Sequence, residues 1–445
     1  MSTLDERLAR RTSLGTWTFD DRFSYRAGLG RIFNAYGPNI CELCYYITSP
    51  GGTFTLRSEG SVSYVVDWGD GSSETSTSNA LAHTYAAGDY IIKISSAVVY
   101  RPFFNSTGDE DLITEIHTTD IDFGTSLANA WYGANNMTNF NAAFGVTTGV
   151  QSFSQTWQNC SSLTSFPLID TSSITNFASA WQNCSSLTSF PLIDTSSGSN
   201  FASSWYGCNQ LTSFPLIDVS SGTSFANAWR DCSGLTSFPL IDVSSGTTFD
   251  STWRNCSSLT SFPLIDASSG TNFYGAWRDC SSLTSFPTLD VSSGTNFRNT
   301  WYGCSGLTSF PLIDTSSGRS FYGTWETCTD LTSFPLIDVS SGTTFQQAWL
   351  NCNGLTTFPA NFFDSWTGTP VNSCFVNTWL NCSSLTATSV ENILNSIDTS
   401  GQSAPGTGPD ITIDYNASTG APNISTAVSN LKGRGWTITL NGVAQ

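Results

Sequence analysis

Lysine, histidine and methionine are nearly missing from this chain: each occurs only twice in 445 residues. Two isolated histidines, His83 and His117, leave little material for imidazole catalysis or histidine-rich metal sites, and neither stands in a recognisable nucleophile motif. Charged residues of every kind make up 11% of the chain, with a formal net charge of −18 and a pI near 4.2. Nucleic acid and anionic membranes require a basic surface, so both are excluded as general partners. No run of about 18 apolar residues is present, so membrane insertion is not expected. Met1 to Arg11 is polar and charged, without the apolar stretch of a signal peptide, and synthesis in the cytoplasm without an export signal is the expectation.

What the chain has in excess is aromatic. Trp alone numbers 15 and aromatics reach 13%, which is incompatible with a disordered polar chain because so many rings must be buried. Trp recurs at 157, 181, 205, 229, 253, 277, 301, 325 and 349, a constant spacing of 24, preceded by Trp131 and followed by Trp379. Around each Trp the chain reads F-x-x-x-W-x-x-C-x-x-L-T-S-F-P-L-I-D-x-S-S-G, as in Phe201, Trp205, Cys208, Leu211, Phe214, Pro215, Leu216, Ile217 and Asp218. Phe, Trp and Cys at i, i+4 and i+7 predict a short helical face, and L-x-x-F-x-L predicts a short strand. One such unit cannot cover its own rings and must lay them on identical neighbours, so about eleven coils should stack into one array. The first coil is degenerate, with Leu127, Trp131, Ala134, Met137 and Phe140 in the repeating positions. At the far end, helices are predicted over Val390 to Ile397 and Thr426 to Leu431, and strands over Ile411 to Tyr415 and Trp436 to Leu440.

Residues 127 to 385 resemble the BspA-like leucine-rich repeats of bacterial surface proteins. The resemblance implies a leucine-rich-repeat solenoid, although this chain places Trp on the helical piece and Phe-Pro in the strand. Upstream, Tyr64 to Gly71 and His83 to Ile94 carry an aromatic strand running into Gly-Asp-Gly and then Thr-Tyr with a Gly-turn strand. This is similar to a polycystic-kidney-disease (PKD) type Ig-like domain, which implies a small β-sandwich acting as a spacer. The tail Gly435-Trp436-Thr437-Ile438-Thr439 resembles the ending of many phage tail and surface-repeat proteins.

The expected fold class is therefore mainly β with short helices: a leucine-rich-repeat solenoid of 24-residue coils, preceded by a small Ig-like β-sandwich. Five segments follow: 1–47, an N-terminal docking segment; 48–98, the PKD-like sandwich; 99–150, a linker with capping coils; 151–388, the solenoid; and 389–445, closing coils and a cap. The docking segment mixes Trp17, Phe19, Phe23 and Phe33 with six of the chain's arginines, a composition suited to ordering on a partner.

Ten cysteines repeat with the coils, from Cys160 to Cys382, and read as buried thiols packing as small apolar groups. Cys41 and Cys44 form a lone C-x-x-C with no second pair, a poor zinc site. Asp67 and Asp70 are the candidate cation ligands, with hydrogen bonding within their own turn as the alternative. Aspartates at 170, 194, 218, 242, 266, 290, 314 and 338 recur after the strand; capping of each turn and calcium bridging along the column are both open.

Positions that repeat serve the fold, so positions that vary are free for recognition. The residue after Phe and the residue after Trp vary most. On a helix they would lie side by side, lining up Tyr206, Arg230, Arg254, Arg278 and Tyr302 beside Tyr274, Arg298 and Tyr322. A basic and aromatic strip on an acidic rod suits an acidic sugar. The expectation is a protein with no catalytic residues and no cofactor beyond possible calcium. The expected role is that of a phage virion surface or tail-fibre protein, docked to other virion proteins through its N-terminal segment and attaching to a host-surface glycan or protein. Self-association into a homo-oligomer is also open. The alternatives are a bacterial cell-surface adhesin, a purely structural virion decoration and, in another class, a polysaccharide-degrading enzyme.

Overall fold

The structure, a computed structural model, describes residues 42–104, 108–143, 145–406 and 410–445. The expected docking segment lies, up to residue 41, outside the described residues.

β1 (Leu43–Arg57) starts on the apolar run Leu43 to Ile47, alternates Thr53, Phe54, Thr55, Leu56 and Arg57 at its end, and pairs antiparallel with β4 (Ala80–Ser95), from Leu43↔Ile94 to Arg57↔Ala80. β2 (Tyr64–Asp67) and β3 (Ser73–Ser76) extend the β4 edge, while β5 (Ile113–Thr118) and β6 (Asn139–Ala142) extend the β1 edge. All six strands form one sheet, in the order β3-β2-β4-β1-β5-β6.

This differs from the two-sheet sandwich expected over 48–98. β1 uses both of its edges, and β5 runs parallel to β6, which already belongs to the first coil. The segment 99–150 is therefore the joint through which sheet and repeat array share one apolar core, rather than a linker.

The coils stack as the spacing requires, but neither expected element forms within them. Pro167, Pro191, Pro215 and their equivalents have no N–H, so in the L-T-S-F-P-L-I-D stretch each coil joins the previous one through little more than one threonine N–H, such as Thr188 to the Thr164 carbonyl at 3.3 Å. A row of aligned prolines cannot make a strand ladder.

The denser ladder lies where a helix was expected. Phe177, Ser179, Trp181 and Asn183 each donate N–H to the next coil, to the carbonyls of Asn200, Ala202, Ser204 and Tyr206, at 2.6–2.9 Å. The helix is prevented by left-handed residues inside the segment, for example Ser179 (φ 55°) and Asn183 (φ 60°). Ser, Asn, Asp and Gly dominate these two columns because left-handed backbone strains most other residues.

The Trp column then stacks nearly face to face. From Trp157 to Trp379 neighbouring indoles are 5.1–5.9 Å apart between centroids and 3–12° from parallel. Each Trp from 157 to 325 meets the Phe of the F-P pair in its own coil edge to face, at 4.8–4.9 Å. From Trp157 to Trp379 none of the ten indole N–H groups in the column has an oxygen or nitrogen partner, and the perpendicular Phe rings lie in the arrangement that lets N–H and C–H edges meet π faces.

Where Ser-Ser-Gly precedes the next Phe, the glycine is required by space: a Cβ on Gly222 would fall 2.6 Å from Phe225 Cζ and 2.9 Å from Phe201 Cδ2. The one coil with Ile174 at that position has Phe153 and Phe177 at 80°, whereas Phe201 and Phe225 lie at 3°.

The stack is closed by α1 (Ala387–Thr399), β7 (Asp410–Ile413), α2 (Ser425–Gly433), β8 (Thr437–Leu440) and β9 (Val443–Ala444). β7 continues the array, taking the Trp379 N–H on the Thr412 carbonyl at 3.3 Å. β8 pairs parallel to β7, and Trp436 packs on Phe375 at 5.6 Å while its indole N–H donates to the Gln402 carbonyl. The Gly-Trp tail thus serves as the lid of the array.

Candidate surface site

Tyr206, Arg230, Arg254, Arg278 and Tyr302 occupy one column, one coil apart, all half-buried. The Arg230 guanidinium sits over the Tyr206 ring at 5.3 Å and that of Arg278 over Tyr302 at 4.2 Å. The neighbouring column repeats the device, with Arg298 over Tyr322 at 4.3 Å and Tyr274 one coil before Arg298. The structure therefore brings the predicted residues together in two ridges, by coil stacking and not by a helix face. The after-Trp side chain leans over the left-handed residue three positions earlier, as Arg230 Nη1 does toward Asn227 Oδ1 at 3.2 Å.

The electrostatics differ from the expected basic strip. Arg278 Nε lies 3.2 Å from Asp279 and Arg230 Nε 3.7 Å from Asp231. At the end of the first ridge, burial pushes the Glu326 carboxyl up, with the Arg278 charge opposing. Arg254 keeps a buried Nε without a hydrogen-bond partner. With these acidic neighbours the ridge is close to neutral.

Beside the ridge runs a shallow polar groove that sequence reasoning missed. One wall is the left-handed column Asn159, Asn183, Gly207, Asp231, Asn255 and Asp279; the other is Asn135, Ser161, Ser185, Asn209, Ser233 and Ser257. Asn183 Nδ2 donates to Asn159 Oδ1 at 2.8 Å and Asn255 Nδ2 to Asp231 Oδ1, two bonds along this wall separated by Gly207. The signal was present as a column of Asn, Asp and Gly two residues after the Trp of each coil, with Thr327 the exception, which in an aromatic repeat marks left-handed backbone and an outward polar side chain.

Asp67 and Asp70 lie in the β2–β3 turn. Asp67 Oδ1 accepts from Gly69 N at 3.0 Å, and Asp70 accepts from Ser72 N and Oγ at 2.9 and 2.6 Å and binds His83 Nε2 at 2.7 Å. The Ser72 and His83 bonds hold the Asp70 carboxyl far below the usual carboxylate range. The other histidine, His117, meets Glu115 at 3.0 Å. The column from Asp170 to Asp338 shows the same turn chemistry, each carboxylate accepting the N–H of the serine two residues on, as Asp218 does from Ser220 at 3.1 Å. No group of three or more His, Cys, Asp or Glu among the described residues is placed to hold a metal ion.

The repeating cysteines are buried and unpaired, each thiol donating to the Trp carbonyl of the preceding coil at 3.0–3.3 Å. Burial raises their pKa, to about 12 for Cys208, Cys280 and Cys352. They are structural thiols. Cys44 lies within β1, while Cys41 is outside the described residues.

The stacked coils with their regular Phe/Trp pattern fit a leucine-rich-repeat protein, and the chain's named elements are mainly strands with few helices. No family model and no curated protein matches the chain. Among solved structures, it is similar to the crystal structure of a TLR13–ssRNA13 complex, with 11% identity, a TM-score of 0.23 and coverage of 73% of this chain. The chain spans 50% of that protein's length.

Proposed function

We propose that this is a non-enzymatic surface protein of a phage virion, in which the six-stranded sheet and the leucine-rich-repeat array carry a saccharide-binding ridge out to the host. The observation that carries the reading is the Tyr206–Arg230–Arg254–Arg278–Tyr302 column with its polar groove. Aromatic rings flanked by Arg, Asp and Asn side chains are the groups that stack on sugar faces and pair with hydroxyls. A groove running along the stack suits an extended glycan, since each coil advances by about 4.8 Å. The near-neutral charge of the ridge favours neutral saccharides.

The test is a glycan array probed with the wild-type chain and with the triple variant R230A/R254A/R278A, alongside adsorption to host cells. Wild-type binding to a neutral glycan, lost in the triple variant with an unchanged melting temperature, supports the reading. Equal binding by both removes the ridge as the ligand site. Mass spectrometry of purified virions tests the particle context independently.

A further inference from the structure

One repeating residue does not serve the fold. In F-P-L-I-D the Phe and Ile point inward, but the Leu between them points out. Leu168, Leu192, Leu216, Leu240, Leu264, Leu312 and Leu336 are 51–65% exposed, with only Thr288 interrupting the row. Beside each lies a half-buried proline, so the row is an apolar ridge broken only at Thr288. Across eight coils it is roughly 34 Å long, from a strand-like spacing of about 4.8 Å. Exposed Thr, Ser and Asp also recur in every coil, as at Thr212, Ser213 and Asp218, but those columns are polar, whereas this one is apolar. Soluble monomers rarely leave so ordered an apolar strip in water.

We propose that the leucine ridge is a self-association surface, occupied by the same ridge of a second copy in parallel orientation. Three observations select that occupant. The seven leucines expose about 100 Å² each, so that with the prolines the ridge approaches the roughly 800 Å² per partner that a stable interface buries. A row of knobs at one fixed period meshes best with a row of the same period, which a second copy supplies by symmetry.

Charge sets the direction. The aspartate column follows the ridge on one flank, and exposed Thr and Ser, such as Thr212 and Ser213, precede it on the other. A two-fold axis perpendicular to the rods would bring both aspartate columns to the same edge, where like charges repel. An axis parallel to the rods places the aspartates of one copy opposite the Thr and Ser hydroxyls of the other. Parallel pairing also puts both six-stranded sheets at one end of the assembly.

The experiment is light scattering of the full chain at tens of micromolar, with the triple variant L216S/L240S/L264S as control and thermal melting of both. A mass of two copies for the wild type, falling to one in the variant with the melting temperature retained, is the expected result. A monomeric wild type, or a variant that still pairs, overturns the proposal. Orientation is read by mild oxidation of L192C, whose new thiol is exposed while those of the coils are buried. Disulfide-linked dimers of L192C support parallel pairing. Linkage only in a mixture of L192C with L312C, the position an antiparallel ridge would place opposite, overturns it.

Discussion

The Cys256 thiol donates to the Trp229 carbonyl of the preceding coil at 3.2 Å, and both side chains are fully buried. Burial also raises the Cys256 pKa well above that of a free thiol. At pH 8 the repeating cysteines of the native chain should therefore resist alkylation, and peptide mapping should show them modified only when denaturant unfolds the array. Rapid native labelling of any cysteine from Cys160 to Cys382 would contradict this burial.

Trp253 lies between Trp229 and Trp277, at 5.9 and 5.2 Å. Trp253→Ala removes contacts to two neighbours at once and should cost about 3–5 kcal/mol. Because coils touch only their neighbours, the two halves of the array should then melt less cooperatively than in the wild type. Calorimetry of the intact chain checks this, with a single unshifted transition as the adverse result.

Asn227 holds φ at 56° between Phe225 and Trp229. Asn227→Ala should destabilise by about 1 kcal/mol and Asn227→Gly by only a few tenths, since glycine carries no left-handed penalty. Gly222→Ala should cost more than either, because its Cβ would collide with two Phe rings. Urea titrations of the three variants give the order, and a stable Gly222→Ala would argue against the close stacking of Phe201 and Phe225.

Acid should loosen the turns after the leucine ridge. The hydroxyl and backbone N–H of Ser292 hold the Asp290 pKa below its unfolded value, and the Ser72 and His83 bonds do the same for Asp70. A depressed folded pKa stabilises the protein above the unfolded value of about 3.9 and loses that contribution as pH falls through the folded one. The melting temperature should hold from pH 7 to about pH 5 and then drop below about pH 4, with a smaller drop in Ser292→Ala. At neutral pH a chelator should leave it unchanged, since turn donors already engage these carboxylates. A fall on chelation would establish a bound cation.

The stack itself was legible because a Trp every 24 residues can be buried only by laying coil on coil. The local backbone was not. Phe201, Trp205 and Cys208 at i, i+4 and i+7 mimic a helix period, but the backbone is broken by left-handed residues four apart. The deciding sign was Ser203 and Gly207 between them, residue types that helices disfavour and left-handed positions favour. The site residues were found because they vary, and the same rule hid Leu216, which repeats yet faces solvent. Periodicity alone could not separate Leu216 from Ile217, since either assignment buries one aliphatic side chain per coil. The joint between β5 and β6 was illegible for another reason: pairing across an edge depends on a neighbour distant in sequence.

The ladder from Phe177 to Asn183 gives only N–H groups to the coil ahead and takes N–H only on the carbonyls facing the coil behind. In that segment the array has a sense of direction, as a one-way thread does. A fragment cut between coils would carry four donors on one cut face and four acceptors on the other, surfaces that add end to end without ever closing into a ring. The six-stranded sheet at one end and β7 with its lid at the other are therefore terminators: without them the same repeats would polymerise into a fibre of indefinite length.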